Sequence, residues 1–185
     1  LLRDVAEHPI SMITHRYERL AWNYKTGNAI KDAVISKGFA TFDPVPTPTG
    51  QVKILSLTDR ARDLLERAGV PVARSRHGGP AHEYWKHIIG ERLREQGFTV
   101  TEEYATGGGK TVDLYAVRGE QRLGVEVETG RSDIMANVAK CAALDAEVMF
   151  VFTDTQTRSM HEAAIQAALP TVRVLTTADI KGLRW

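Results

Sequence analysis

Val112-Asp-Leu-Tyr-Ala-Val117, the turn Arg118-Gly119-Glu120 and Arg122-Leu-Gly-Val-Glu-Val-Glu128 decide the fold of the second half of this chain. Both runs are short, rich in β-branched and aromatic residues and bounded by turn residues, which predicts two strands joined by a hairpin turn. Three acids interrupt them. Asp113 sits in an otherwise apolar strand, and Glu126 and Glu128 alternate with Val125 and Val127 in the next. A strand period of two puts Glu126 and Glu128 on one face, and hairpin geometry brings Asp113 beside them. Carboxylates gathered on one sheet face repel, and burying them without a cation is costly. Mg²⁺, a hard cation that favours oxygen ligands, is the expected occupant.

Working outward, Ala81, Trp85, Ile88 and Leu93 form an apolar stripe on a helix over 81–96 that Gly97 stops. Phe98 to Tyr104 reads as a strand, followed by the glycine turn Gly107-Gly-Gly109. Downstream come a helix from Ser132 or Asp133 to Leu144, an apolar strand Val148–Phe152, a helix around Ser159–Ala168, a strand Thr171–Leu175 and a short terminal helix. The order αβββαβαβ predicts an α+β or α/β domain, a mixed sheet with helices on both faces. Thr106-Gly-Gly-Gly-Lys-Thr111 lies between two strands and lacks the spacing of a phosphate-binding loop, so it reads as a turn with Lys110 available to phosphate. No histidine pair shares zinc-ligand spacing with Cys141, the single cysteine.

From Ala81 to Phe152 the chain resembles the PD-(D/E)XK nuclease superfamily, whose core is αβββαβ with an Asp on the second strand and acid-x-Lys on the third. Asp113 matches the Asp, and Glu126 in Glu126-Val127-Glu128 matches the first acid. Its strand spacing is similar to that of Holliday-junction resolvases and restriction endonucleases. The pattern departs at 128, where Glu replaces the usual Lys; some members move that Lys to the following helix, where this chain has Lys140 on the same face as Asn137. The resemblance implies metal-dependent hydrolysis of DNA. Asp113, Glu126 and the Val127 carbonyl would hold Mg²⁺ or Mn²⁺, Lys140 would orient the nucleophile or stabilise the phosphorane, and Glu128 would be a third ligand or general base. Glu83 matches the Glu that the family's first helix often carries. Two other readings stand beside this one: a catalytically inactive nuclease fold that binds DNA, and an edge-strand solubility device with Glu128 paired to Arg131 and Asp113 to Lys110.

The first half has a different pattern. Ile13, Tyr17, Leu20 and Ala21 recur at helical spacing behind Ser11 as cap, and a second helix fits Asn28–Lys37 with Gly38 as its stop. Lys25-Thr26-Gly27 reads as a turn between them. Phe39–Phe42 and Val52–Ser56 read as strands joined by the proline-rich loop 44–50, and a third helix starts at Thr58. Helix, turn, helix, β-ribbon, helix is the order of a winged helix, and Leu57-Thr-Asp-Arg-Ala-Arg-Asp-Leu-Leu65 resembles the segment after the wing in such domains. That arrangement presents Thr26, Asn28, Lys31 and Lys37 to a DNA major groove. The bland alternative is a packing module with a solvated polar face.

Charge supports a division between residues 76 and 77, inside the basic and glycine-rich stretch Val72–Pro80. Residues 1–76 hold 12 Lys/Arg and 8 Asp/Glu, net +4, while 77–185 hold 12 and 15, net −3, so the overall +1 conceals a basic and an acidic part. With 43% hydrophobic residues and one cysteine, the composition excludes a disordered tail and a disulfide scaffold. The absence of an apolar run of the ~18 residues a membrane helix needs, and of a secretory signal, leads to an expected cytoplasmic protein without a membrane partner. Leu1 in place of Met suits a processed chain or a fragment. Gly78-Gly79-Pro80 with His82-x-x-Trp85, and Val125-Glu-Val-Glu-Thr-Gly130, resemble C-terminal regions of DNA-translocating ATPases and of mobile-element or defence proteins of prokaryotes. The implied partners are DNA, an ATPase fused or separate, and a second copy in a homodimer.

Overall fold

A computed structural model describes residues 1–72 and 78–185. The expected boundary between 76 and 77 therefore lies outside the described residues. The chain divides into two compact units, Leu1–Ala81 and His82–Trp185, and its class is mixed α+β: a two-stranded antiparallel sheet and a five-stranded mixed sheet. Among the described residues no helix is long and apolar enough to cross a membrane.

The first unit runs α1 (Leu2–Glu7), α2 (Ile13–Arg19), α3 (Tyr24–Ser36), β1 (Ala40–Thr47), β2 (Gly50–Leu57) and α4 (Asp59–Arg67). Helix α1 is additional to the expected elements. Its Val5 joins Ala40, Leu55, Leu57, Ala61, Leu65 and Val70 in the core. Asp4 anchors it through Arg16, which is fully buried and donates to the Asp4 carboxylate at 2.7 Å and to the His8 carbonyl at 2.7 Å. Met12, not Ser11, occupies the cap of α2, and the Ser11 hydroxyl instead accepts from Arg19.

Helix α3 starts four residues before the expected Asn28, because Asn23 caps it by accepting from the Thr26 amide. Gly27 is thus helical. It is there for close approach: a Cβ would stand 2.7 Å from ring carbons of Tyr17. The proline-rich stretch is likewise strand, not loop. Pro44 pairs with Lys53 and Pro46 with Gln51, and β1 continues to a tight turn at Thr47–Gly50. Prolines two apart place both missing N–H groups along one edge of the strand, where a two-stranded sheet has no partner to accept them. Thr58 caps α4 as expected, accepting from the Ala61 amide.

The second unit runs α5 (Pro80–Glu95), β3 (Thr99–Gly107), β4 (Lys110–Arg118), β5 (Gln121–Glu128), α6 (Ile134–Cys141), β6 (Glu147–Phe152), α7 (Thr155–Ala168) and β7 (Arg173–Thr176), then a 3-10 turn at Ile180–Gly182. The strand order is β3-β4-β5-β6-β7, antiparallel as far as β5 and parallel beyond it. Leu114 pairs with Val125 and Val125 with Met149, which puts these three on one face; Gly90 of α5 packs against Leu114 there. On the other face Val148, Phe150 and Phe152 pack with Ile134, Val138 and Cys141 of α6 and Ile165 of α7. Gly124, Glu126 and Glu128 are the β5 partners of those three residues and so share their face.

Candidate functional site

Asp113 sits where the β4–β5 ladder ends. The strands pair from Arg118 with Gln121 to Leu114 with Val125 and no further. Beyond that point the Val127 amide donates 2.8 Å to Asp113 Oδ2, so a side chain takes over from the neighbouring backbone. The same oxygen lies 3.0 Å from Nε2 of His82, in the first turn of α5. Burial pushes the Asp113 carboxyl up, but His82, the Val127 amide and the charge of Lys140 outweigh it and hold the group below its ordinary value.

Glu126 and Glu128 are 2% and 0% exposed on a central strand. Helix α6 supplies their partners from one face. Lys140 Nζ lies 2.7 Å from Glu126 Oε1, and Asn137 Nδ2 donates 2.8 Å to Glu128 Oε1. Three helical residues rise about 4.5 Å and two strand residues about 6.6 Å, a mismatch these long side chains absorb. Ser132 Oγ donates to the second oxygen of Glu128. Burial, with Asp113 adding repulsion, pushes Glu126 up to about 8 against the pull of Lys140. Glu128 is also raised by burial, despite its hydrogen bonds from Ser132 and Asn137. Cys141, buried beside Glu126, is pushed up to about 12.

A second group of charges extends from Asp113 along α5. Nδ1 of His82 is 3.4 Å from Glu83 Oε1, and Lys86 Nζ is 3.0 Å from Glu83 Oε2 and 2.7 Å from Glu103 Oε1. His82, pressed downward by burial, is carried up to about 10 by Asp113 and Glu83, while Lys86 is raised by Glu103 and Glu83 against its own burial.

Of the residues expected at this site, the fold gathers Asp113, Glu126, Val127 and Lys140, with Glu83 joined through His82. Glu128 is adjacent, but both of its oxygens are taken by Asn137 and Ser132. Lys110 is exposed at the tip of the β3–β4 hairpin, where Gly108 and Gly109 turn with φ of +60° and +75°. His82, Lys86, Glu103 and Ser132 were not among the expected site residues. The His82, Glu83, Lys86 spacing at a helix start was the available signal for two of them. The edge-strand explanation fails on topology: β5 lies in the middle of the sheet, its acids are buried, and Glu128 and Asp113 pair with other residues than Arg131 and Lys110.

The donor set suits a hard divalent cation. Asp113 Oδ1 and Glu126 Oε2 accept no hydrogen bond among the described residues, although each carboxylate's other oxygen is engaged. Burial and Asp113 raise Glu126 by more than Lys140 lowers it. Two carboxylates with a main-chain carbonyl fit such an ion without a third side chain, and among the described residues no three His, Cys, Asp or Glu side chains are arranged to hold one.

On the first unit, Thr26, Asn28 and Lys37 are exposed. Lys31 is held, donating 3.3 Å to Asn28 Oδ1, pairing with Asp32 at 3.1 Å and lying over the Phe42 ring.

No family model and no curated protein matches the chain. A crystal structure of a protein of unknown function, AF1548, is similar over 49% of this chain and 55% of its own length, at 12% identity and a TM-score of 0.36. Likeness at that level carries no argument.

Proposed function

We propose that the second unit is a PD-(D/E)XK-like, metal-dependent endonuclease of restriction-endonuclease-like arrangement that hydrolyses DNA phosphodiester bonds, and that the first is a winged helix that docks it on duplex. The observation that carries this reading is Asp113 and Glu126 drawn to one buried spot on a central sheet, with Lys140 2.7 Å from Glu126. Surrounding hydrophobic residues gain nothing from charges there, so the acids impose a cost that a divalent cation would offset.

Asp113, Glu126 and the Val127 carbonyl are the groups for Mg²⁺ or Mn²⁺, which supplies Lewis acidity and a water of lowered pKa. His82 and the Val127 amide fix the orientation of Asp113. Lys140 comes from the helix, supplying the positive charge that residue 128 does not, 2.7 Å from Glu126. Glu128, held by Asn137 and Ser132, acts as support for the Glu126 strand more than as a ligand. In the first unit, Asn23 capping α3 leaves Thr26, Asn28 and Lys37 exposed for phosphate and base edges, and Lys31 is available once released from Asp32. A cytoplasmic location, a DNA-translocating ATPase as partner and a homodimer cutting both strands complete the proposal.

The second reading, a DNA-binding adaptor that does not cut, is favoured by one observation: Asp113 and Glu126 are already matched by His82 and Lys140. One experiment separates the two. The protein is incubated with supercoiled plasmid and with branched or single-stranded DNA, in Mg²⁺, Mn²⁺ or EDTA. Metal-dependent cleavage lost in Asp113→Ala and Glu126→Ala is expected. Cleavage that survives either substitution refutes the site, and binding that weakens with salt in the absence of cleavage favours the adaptor.

A further inference from the structure

Asp113 is released from the backbone ladder on both sides. Toward β5 the pairing stops at Leu114 with Val125. Toward β3, Glu102 pairs with Leu114 and Tyr104 with Val112, but Glu103, which stands opposite Asp113, pairs with nothing across the ladder. Glu103 has a φ of +50°, the left-handed region that a residue with a Cβ enters only at a cost. Such outliers persist where the surroundings over-determine them, and local strand distortions re-aim side chains beside active sites.

What holds Glu103 there is Lys86. Its Nζ lies 2.7 Å from Glu103 Oε1 and 3.0 Å from Glu83 Oε2, and Thr111 donates to the remaining Glu103 oxygen at 3.2 Å. Lys86 is only 5% exposed, so this ammonium has exchanged most of its water for those carboxylates. The Glu103 side chain is 39% exposed, so the pair is half-buried; the cost of breaking it lies at the Lys86 end, whose buried ammonium would be left without this carboxylate, and that anchors the strained backbone. Glu83 in turn contacts His82, and His82 contacts Asp113. Lys86 therefore braces Asp113 by two routes: through Glu103 and the shape of β3, and through Glu83 and His82.

We infer that Lys86 is a positioning residue for the Asp113–Glu126 site: by gripping Glu103 it keeps β3 distorted opposite Asp113 and so fixes where the Asp113 carboxylate points. The inference rests on the reading of that site as a divalent-cation site. It also makes a prediction of sign. If Lys86 acted only as a nearby positive charge, its removal would tighten cation binding. As a positioning residue, its removal weakens binding.

The test is Mn²⁺ binding to the full chain by titration calorimetry, with a thermal melt of each variant. Lys86→Met is expected to bind Mn²⁺ about tenfold or more weakly, the range seen when groups supporting metal ligands are removed. Adding Glu103→Gly in that background is expected to restore affinity to within about threefold of the parent, because glycine takes a positive φ without strain. A pair that keeps Lys86 repeats the test should Lys86→Met fail to fold: Glu103→Ala weakens Mn²⁺ binding and Glu103→Gly does not, although both lack the carboxylate. Equal affinity in Glu103→Ala and Glu103→Gly, or unchanged or tighter binding by folded Lys86→Met, overturns the positioning role while leaving the metal site intact. If the parent binds no Mn²⁺, the metal-site reading falls and the inference with it.

Discussion

Replacing Glu126 with Gln should stabilise this protein, and increasingly so as the pH rises. Glu126 is 2% exposed and is held up to about 8, against 4.5 for a free glutamic acid, by burial and by Asp113. Protonation is therefore tighter in the folded than in the unfolded state. For an acid with a raised folded value, the favourable contribution is complete below the unfolded value and is lost as pH rises toward the folded one. Relative to that acid limit, linkage gives a loss of about 1 kcal/mol at pH 5, about 3 at pH 7 and about 5 at pH 9. Gln has nearly the same shape and cannot ionise, so Glu126→Gln escapes this loss, in which the pull of Lys140 is already included. The buried amide NH2 of Gln, left without an acceptor, takes back part of the gain, leaving about 1–2 kcal/mol at pH 7. The assay is thermal unfolding of parent and variant in EDTA at pH 5, 7 and 9, following the transition of the second unit. The variant's advantage must widen with pH. An advantage that is flat or shrinks from pH 5 to pH 9 would falsify the claim that Lys140 compensates Glu126 only in part.

Two further predictions concern the first unit. Gly27→Ala in a helix interior would ordinarily add about 1 kcal/mol of stability, but here the new methyl meets the Tyr17 ring at 2.7 Å. Overpacking of about 1–3 kcal/mol, with loss of the Tyr17–Asn28 hydrogen bond, should make the variant less stable in urea melts and, if the first unit docks on duplex as proposed, weaken that binding by displacing α3; a stabilised variant would contradict the packing. Asp4→Asn leaves Arg16 buried with its ion pair broken and should cost about 3–5 kcal/mol. In the parent, burial pushes Asp4 up but Arg19 and Arg16 pull it net downward, so its contribution is present above its unfolded value of 3.8 and lost as pH falls through the lower folded value. Acid titration of the first unit by circular dichroism should show that loss in the parent and not in Asp4→Asn.

Much of the fold was legible because it depends on local pattern. The alternation in Val125–Glu128, the turn at Arg118–Glu120 and the apolar run Val148–Phe152 gave the strands, and Thr58 marked a helix start. What escaped was set by contacts distant in sequence. Gly27 looks like a turn residue until Tyr17, ten positions earlier, is seen lying against it. Pro44 and Pro46 look like a loop until their spacing of two is matched to the free edge of a two-stranded sheet. Helix α1 is too short to show a period, and it exists because Val5 fills the core and Asp4 meets the buried Arg16. At the site, Asp113 and Glu126 could be foreseen from strand period and hairpin geometry, and Lys140 through the family resemblance, which places a displaced Lys on the following helix. Glu103 could not, because nothing in its sequence neighbourhood signals a positive φ on a residue with a side chain.

The charges of the second unit argue for a working site more strongly together than singly. Asp113 and Glu83 are held below their ordinary values by cations within hydrogen-bond reach, as structural ion pairs would be. Glu126 is different. It already has Lys140 at 2.7 Å and still remains raised, because burial, and after it the charge of Asp113, outweigh that cation. A fold selected only for stability would exchange one of these two acids for an apolar residue like those that fill the rest of β5 and β6, where Val125, Val127, Phe150 and Phe152 pack without such a cost. Retaining both, on a central strand, while bending β3 out of its ladder opposite one of them, concentrates two departures from stability at a single point. On the proposed reading, a divalent cation held by Asp113 and Glu126 would account for both: it would remove the repulsion, and it would need the Asp113 carboxylate aimed in a direction that an undistorted ladder does not give.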